Sequence, residues 1–194
     1  MLYQAGIPTV GADAKSIPRS GIRDVFDRAE KVPGAISLCV GEPRHTASPA
    51  VVEAACDSIR RGKTTYTDIL GIPDFRRAAA GYTARVKGLG YDPDHEIQAV
   101  EGATMGIFLA LKAVIDPGDE VVIPSPFFPS YQAAVLMCGG TPRTVALSPR
   151  NGMHLSAEDI DRAVGPRTKA VILNSPGTVP YTPLTLPPNR EVRI

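Results

Sequence analysis

The sequence lacks the features that mark membrane-spanning, secreted and nucleic-acid-binding proteins. No apolar run approaches the roughly 20 residues of a membrane-spanning helix. The N-terminus has neither the basic start nor the apolar stretch of a secretory signal. The net charge is +1 and there is no basic run, which argues against nucleic acid and anionic membranes as partners. We therefore expect a cytoplasmic protein with neither of those partners.

Cysteine and histidine are also scarce. The three cysteines are far apart and form no C-x-x-C motif, so we expect buried, reduced thiols. The three histidines stand singly, without the spacing of metal ligands, so we expect no metal site. These residues are Cys39, Cys56, Cys138, His45, His95 and His154.

Length and composition are those of an ordinary globular protein. A chain of 194 residues with 43% hydrophobic and 21% charged residues can bury a real core, as one domain or as one domain with a small attachment. Strand patterns at 97–100, 120–123, 142–147 and 170–173 alternate with helical patterns. Short strands separated by helices predict an α/β fold with a doubly wound, mostly parallel sheet.

The central feature lies within residues 96–131. There, a strand pattern is followed at once by Gly102, and Ala103 and Thr104 then open an apolar helix pattern. The first N–H groups of a helix have no partner within the helix, and the helix dipole adds about half a positive charge there. A phosphate group would satisfy both. The alternative is that Gly102 only makes a tight turn.

Two phenylalanines follow the next strand pattern. A turn at residues 116–119 leads into the strand at 120–123, and Phe127 and Phe128 come shortly after it. Ligands of open α/β sheets bind at the carboxyl ends of the strands, so these rings are candidates for a binding face. The alternative is that both rings pack in the core.

The remaining segments carry weaker signals. Residues 1–20 lack periodicity and predict a flexible arm, and residues 35–40 predict a short strand. Residues 156–159 have the pattern of a capping box. The helix that Pro73 opens is expected to have an inner face and a solvated face. The inner residues are Phe75, Ala79, Tyr82 and Val86, and the solvated residues are Arg76, Arg77, Arg85 and Lys87.

Five motifs in one order resemble the front part of a class I aminotransferase, a pyridoxal-phosphate enzyme of fold type I. They are SLCVGEP at 37–43, TTYTDILGIPDFRRA at 64–78, VEGATMGIFLAL at 100–111, DPGDEVVIPSPFFPSY at 116–131 and PRTKAVILNSP at 166–176. The resemblance covers residues 16–176. It implies part of the large domain of a pyridoxal-phosphate transferase, preceded by an N-terminal arm and small-domain segment.

The resemblance also implies roles for six residues. The turn at the start of the helix would hold the cofactor phosphate, and an aromatic ring would stack on the pyridine. A tyrosine would reach the phosphate of the other subunit of a homodimer, and the glycine of V-G-E-P would approach the substrate carboxylate. The implied cofactor-binding residues are Gly102, Ala103, Thr104, Phe128 and Tyr66, and the implied substrate-binding residue is Gly41.

Other parts of the family's site have no match in this chain. The Schiff-base lysine of the S-x-x-K motif, the N-P-T-G asparagine, the pyridine-nitrogen aspartate and the carboxylate-binding arginine are missing. No catalytic residue is therefore assigned. In place of N-P-T-G stands a proline-rich stretch without apolar periodicity.

These features predict three segments. Residues 1–45 would form the arm and small-domain segment, 46–176 a truncated cofactor-binding large domain, and 177–194 a tail foreign to the family. The expected function is that of an aminotransferase working on an amino acid and a 2-oxo acid, in a truncated and inactive form with weak or absent pyridoxal phosphate binding. Alternatives are one half of a split enzyme, a related lyase or synthase, and a non-catalytic phosphate-ligand-binding or dimerisation module.

Overall fold

Helices come first along the chain, and helices and strands then alternate. The computed structural model describes residues 10–18, 21–36, 45–148 and 152–174. Its helices are α1 Ala12–Ser16, α2 Gly21–Ala29, α3 Pro49–Arg60, α4 Pro73–Lys87, α5 Ala103–Val114, α6 Pro129–Met137 and α7 Ala157–Ala163. Its strands are β1 Glu120–Ser125, β2 Thr141–Ala146 and β3 Thr168–Val171. In this described part no helix is long and apolar enough to cross a membrane.

The three strands form one parallel sheet with β1 in the middle, in the order β2-β1-β3. Glu120 pairs with Thr141 on one side and with Thr168 on the other. The pairing with β3 shifts by one position after Glu120, so that Lys169 is an extra residue at the start of β3. The predicted parallel α/β sheet is confirmed, and three of its four predicted strands are present with small differences at their ends.

The core forms around β1. Val121, Val122 and Ile123 are fully buried, because a central parallel strand is covered on both faces. On one face the cluster includes Leu111 of α5 and Val135 of α6, both buried. These apolar contacts hold α5 and α6 on the sheet.

The thiols follow the predicted pattern only in part. Cys138, just after α6, is buried in the same cluster, and burial raises the pKa of its thiol. Cys56 is a free, half-buried thiol in α3. Cys39 lies outside the described residues.

The predicted strand at 97–100 is wrong. These residues have no regular secondary structure, and no strand in the described part of the chain pairs with them. The Ala99 N–H donates to the Leu70 carbonyl at 2.9 Å, and the Val100 carbonyl accepts from the Gly102 N–H. A strand needs a ladder of such bonds to a neighbour, and an apolar pattern cannot reveal whether that neighbour is present.

The chain divides into two compact units, one of Met1–Gly41 with Thr104–Ile194 and one of Glu42–Ala103. In the second unit the predicted solvated face of α4 is confirmed for Arg77, Arg85 and Lys87, which are exposed, but the prediction is wrong for Arg76 and for the inner face. Arg76 is 5% exposed, whereas Phe75 and Tyr82 are about half exposed. The Arg76 guanidinium donates to the carbonyls of Gly71 and Pro93, and these partners make its burial tolerable.

At the N-terminus, α1 lies within the stretch predicted as a flexible arm, so that prediction is wrong for Ala12–Ser16. The predicted strand at 35–40 falls largely outside the described residues, as does the tail at 177–194. The predicted capping box is confirmed. Ser156 accepts from the Asp159 N–H, and the Asp159 carboxylate accepts from the Ser156 N–H.

Candidate cofactor-binding site

The candidate site begins at the turn that starts α5. Gly102 has φ +90°, a conformation that residues with a Cβ rarely adopt, and its N–H donates to the Val100 carbonyl at 2.9 Å. No atom lies within 4 Å of the place where a Cβ would stand. The turn therefore leaves open space directly in front of the first turn of α5.

The first backbone donors of α5 face that space without partners. Among the described residues, the N–H groups of Ala103, Thr104 and Met105 make no hydrogen bond to a backbone or side-chain acceptor. All three residues are exposed, and so is Gly102. Free N–H groups at the positive end of a 12-residue helix suit a phosphate, and the Thr104 hydroxyl adds a further donor.

The direction of α5 follows from the turn that ends it. The Asp119 N–H donates to the Asp116 carbonyl at 3.1 Å, and the Asp116 N–H donates to the Asp119 carboxylate at 2.9 Å. This turn reverses the chain between α5 and β1, so the helix runs back along the strand. Thr104 therefore lies at the end of the sheet where β1 finishes, which is the end where ligands of parallel sheets bind.

The two phenylalanines after β1 have different surroundings. Phe127 packs against the core cluster. Phe128 immediately precedes α6 and meets the Tyr131 ring edge to face, with centroids 5.9 Å apart and an interplanar angle of 73°. This contact orients the half-buried Phe128 ring at the same end of the sheet as Thr104.

Of the other two sequence-predicted residues, the structure describes only Tyr66. Tyr66 belongs to the Glu42–Ala103 unit, where its side chain is fully exposed in the loop between α3 and α4. Gly41 lies outside the described residues. Their predicted roles therefore stay predictions.

Sequence reasoning missed the residues that hold the Tyr66 loop. Arg76 and Arg77 are adjacent and chemically identical, yet one is buried and the other pairs with Asp74 on the surface. The only signal in the sequence was the helical periodicity of α4, which predicted that Arg76 and Arg77 both face solvent.

A charged cluster lies at the opposite end of β1. The buried Glu120 carboxylate accepts from Arg167 at 2.6 Å and from Arg143 at 3.1 Å. These two hydrogen bonds lower the pKa of Glu120, with that from Arg167 having the larger effect. In the described part of the chain no group of three or more His, Cys, Asp or Glu side chains could hold a metal ion.

Known proteins are similar in sequence to this chain. The sequence profile described as "Aminotransferase class I and II" matches residues 33–178. An aspartate aminotransferase of Rhizobium meliloti is 40% identical over 160 residues, which cover 82% of this chain and 38% of that protein. An aromatic-amino-acid aminotransferase of Thermococcus litoralis is 35% identical over 157 residues, covering 81% of this chain and 40% of that protein.

Solved structures agree with the sequence relatives. A crystal structure of the aspartate aminotransferase from Rhizobium meliloti matches with a TM-score of 0.82 and 38% identity, over 88% of this chain and 43% of that one. The chain therefore has part of the α/β fold of fold type I enzymes. It belongs to the class I and II aminotransferase family, whose members use pyridoxal phosphate. It spans between 38% and 42% of the length of the first curated relatives that it matches.

Proposed function

We propose that this chain carries the phosphate-binding part of an aminotransferase site, one that works with pyridoxal phosphate on an amino acid and a 2-oxo acid. The observation that carries the proposal is the start of α5. Three free N–H groups and an exposed hydroxyl lie in the first turn of this helix, in a chain of this family. The donor set fits a phosphate monoester, which carries two negative charges and several acceptor oxygens.

The chain's own residues would bind and orient the cofactor. The N–H groups of Ala103 and Thr104 and the Thr104 hydroxyl would donate to phosphate oxygens, and Gly102 would leave room for them. The Phe128 ring would stack on the pyridine and fix its tilt. When bound, pyridoxal phosphate supplies an electron-accepting ring, which is the chemistry that transamination requires.

The assembly and location are also proposals. By family resemblance Tyr66 would complete the phosphate site of a second copy in a homodimer, and Gly41 would approach the substrate carboxylate. The Tyr66 ring is fully exposed and is therefore available for such a contact. We retain the division into an arm at 1–45, a large-domain part at 46–176 and a tail at 177–194. A cytoplasmic location would suit the free thiols of Cys56 and Cys138.

Catalysis by these 194 residues alone is not expected. None of the six lysines stands in an S-x-x-K motif, and the N-P-T-G segment is missing. The lysines are Lys15, Lys31, Lys63, Lys87, Lys112 and Lys169. Without the lysine that holds the cofactor and moves the proton, we propose weak, non-covalent pyridoxal phosphate binding and no transamination above that of the free cofactor.

Cofactor affinity tests the binding part of the proposal. Equilibrium dialysis with pyridoxal phosphate, with inorganic phosphate as competitor, would compare the wild type with Thr104→Ala. A hydrogen bond to a charged group contributes about 1.5–3 kcal/mol, so Thr104→Ala should weaken binding roughly tenfold or more. Thr46→Ala is the matched control, because Thr46 is an exposed threonine remote in sequence from α5. Equal affinities for the two variants would refute the phosphate site.

A keto-acid assay tests the catalytic part. The purified chain should convert no common amino donor with 2-oxoglutarate faster than free pyridoxal phosphate does. Borohydride reduction should trap no stoichiometric adduct at one lysine. Turnover that Thr104→Ala or Phe128→Leu abolishes would instead reveal a complete catalytic site within this chain.

A further inference from the structure

A buried arginine joins two loops of the Glu42–Ala103 unit. Nε of Arg76 donates to the Gly71 carbonyl at 3.1 Å, and Nη1 donates to the Pro93 carbonyl at 2.7 Å. Nη1 also lies 3.5 Å from a carboxylate oxygen of Asp94, whose side chain is 64% exposed. The planar guanidinium thus spans two backbone segments, a geometry that the single ammonium of lysine cannot reproduce.

Two backbone contacts accompany this bridge. The Ala99 N–H donates to the Leu70 carbonyl at 2.9 Å. The backbone of Gly71 approaches Ala99 so closely that a Cβ on Gly71 would stand 2.5 Å from the Ala99 Cβ. Residues 70–71 and 93–99 are therefore held together by the Arg76 side chain, one backbone hydrogen bond and one tight contact.

Each joined segment adjoins a group of the proposed cofactor site. The first segment, residues 70–71, lies shortly after Tyr66 in the loop between α3 and α4. In this loop the Leu70 N–H donates to the Asp68 carboxylate at 2.8 Å. The second leads from Ala99 into the turn at Gly102, whose own N–H donates to Val100. The free N–H groups of α5 begin at the next residue.

We infer that Arg76 is a positioning residue for the phosphate-binding turn. By fixing residues 93–99 against residues 70–71, it sets where Gly102 and the first donor of α5 stand relative to the Tyr66 loop of the same unit. This inference rests on the proposed function for its consequence, whereas the bridge itself is independent of any ligand. Arg76 touches neither substrate nor cofactor in this role.

The test compares Arg76→Met and Arg76→Lys with Arg77→Met in the full chain. Arg77 is the matched control, because it is the adjacent arginine on α4 and pairs at the surface with Asp74 at 2.6 Å. Hydrogen exchange of the Ala99 amide reports the bridge. Exchange of the Ile172 amide, which donates to Val122 in the sheet, reports unfolding of the sheet. Pyridoxal phosphate affinity reports the consequence for the site.

Arg76→Met should speed exchange at Ala99 by about tenfold or more, because the hydrogen bonds of a charged donor are lost. Exchange at Ile172 should be unchanged. Affinity should fall by about threefold to tenfold, since part of the binding energy then orders a loosened turn. Arg76→Lys should recover part of the protection at Ala99 and part of the affinity. Arg77→Met should change neither the exchange at Ala99 nor the affinity. Where Arg76→Met does not fold, Arg76→Lys should still show both effects at intermediate size.

The remaining outcomes separate this inference from the proposed function. If the wild type binds pyridoxal phosphate and the Arg76 variants bind it equally well, the positioning role is refuted while the site stands. Unchanged exchange at Ala99 would refute the bridge itself. If the wild type binds no pyridoxal phosphate, the proposed function fails and the positioning role fails with it, whatever the exchange at Ala99 shows.

Discussion

Glu120 and Arg167 are joined twice, once through their side chains and once through their backbones. The Glu120 carboxylate accepts from the Arg167 guanidinium at 2.6 Å, and the Glu120 N–H donates to the Arg167 carbonyl at 2.8 Å. Arg143, at the β2 side of the same carboxylate, completes a bridge across all three strands. The bridge lies where the register between β1 and β3 shifts, so one buried carboxylate holds both edge strands at their start.

Removing the arginines should therefore harm the sheet more than neutralising the carboxylate. Glu120→Gln leaves two arginines that are largely exposed and can be hydrated, whereas Arg143→Met with Arg167→Met leaves a buried charge without a partner. Urea unfolding at pH 7 should rank the double variant below Glu120→Gln, and both below the wild type. The reverse order would contradict the bridge.

The same carboxylate predicts a pH dependence of stability. Its pKa is lowered in the folded chain by Arg167 first and Arg143 second. A lowered pKa gives a stabilisation that is present above the ordinary glutamate value of 4.5 and is lost as pH falls through the folded value. The difference in unfolding midpoint between wild type and Glu120→Gln should shrink as the pH is lowered from 6 to 3. A difference that is independent of pH would count against this assignment.

His95 should titrate above an ordinary histidine. Its Nδ1 lies 2.9 Å from the Asp92 carboxylate, and this hydrogen bond raises the pKa of His95. The pair therefore stabilises its turn fully below the ordinary histidine value of 6.5, and this contribution is lost as pH rises through the folded value. An NMR titration should find that Asp92→Asn lowers the His95 midpoint and that Asp94→Asn lowers it less. Equal effects would show that the hydrogen bond is not the main cause.

Gly71 should tolerate alanine less well than Gly62, although both have positive φ. Nothing lies within 4 Å of a Cβ added at Gly62, so alanine there has only a conformational effect of about 1 kcal/mol. At Gly71 the clash with the Ala99 Cβ adds to this conformational effect, and the total loss of unfolding free energy should be about 2–4 kcal/mol. Denaturant unfolding measures both, and Ala99→Gly should rescue most of the extra loss. Equal losses at the two glycines would contradict the close approach.

Ser156 should contribute to stability as a cap, whereas Ser48 should not. Ser156 accepts from the Asp159 N–H at 3.1 Å, but Ser48, the corresponding residue before α3, makes no side-chain cap hydrogen bond. Ser156→Ala should cost about 1 kcal/mol, as cap removals typically do. Ser48→Ala should change the free energy of unfolding by only about a few tenths of a kcal/mol. Thermal unfolding of the two variants checks the contrast, and equal shifts would show that the Ser156 bond is not formed in solution.

Local signals in the sequence determined the strands β1, β2 and β3, the glycine turn and the start of α5. An apolar run between turn residues, or a glycine followed by a helical pattern, depends only on neighbouring residues. Likewise the capping box at Ser156 needs only four consecutive positions. The order of motifs along the chain also sufficed to recognise the family, since each motif is contiguous.

Only the tertiary structure decided which residues find partners distant in the sequence. Residues 97–100 have a strand pattern but no partner strand in the described chain, and a ladder needs two strands. Arg76 and Arg77 are indistinguishable by type, and the carbonyls of Gly71 and Pro93 select Arg76 for burial. In each case the deciding contact joins segments that the fold brings together, and one-dimensional periodicity holds no information about such contacts.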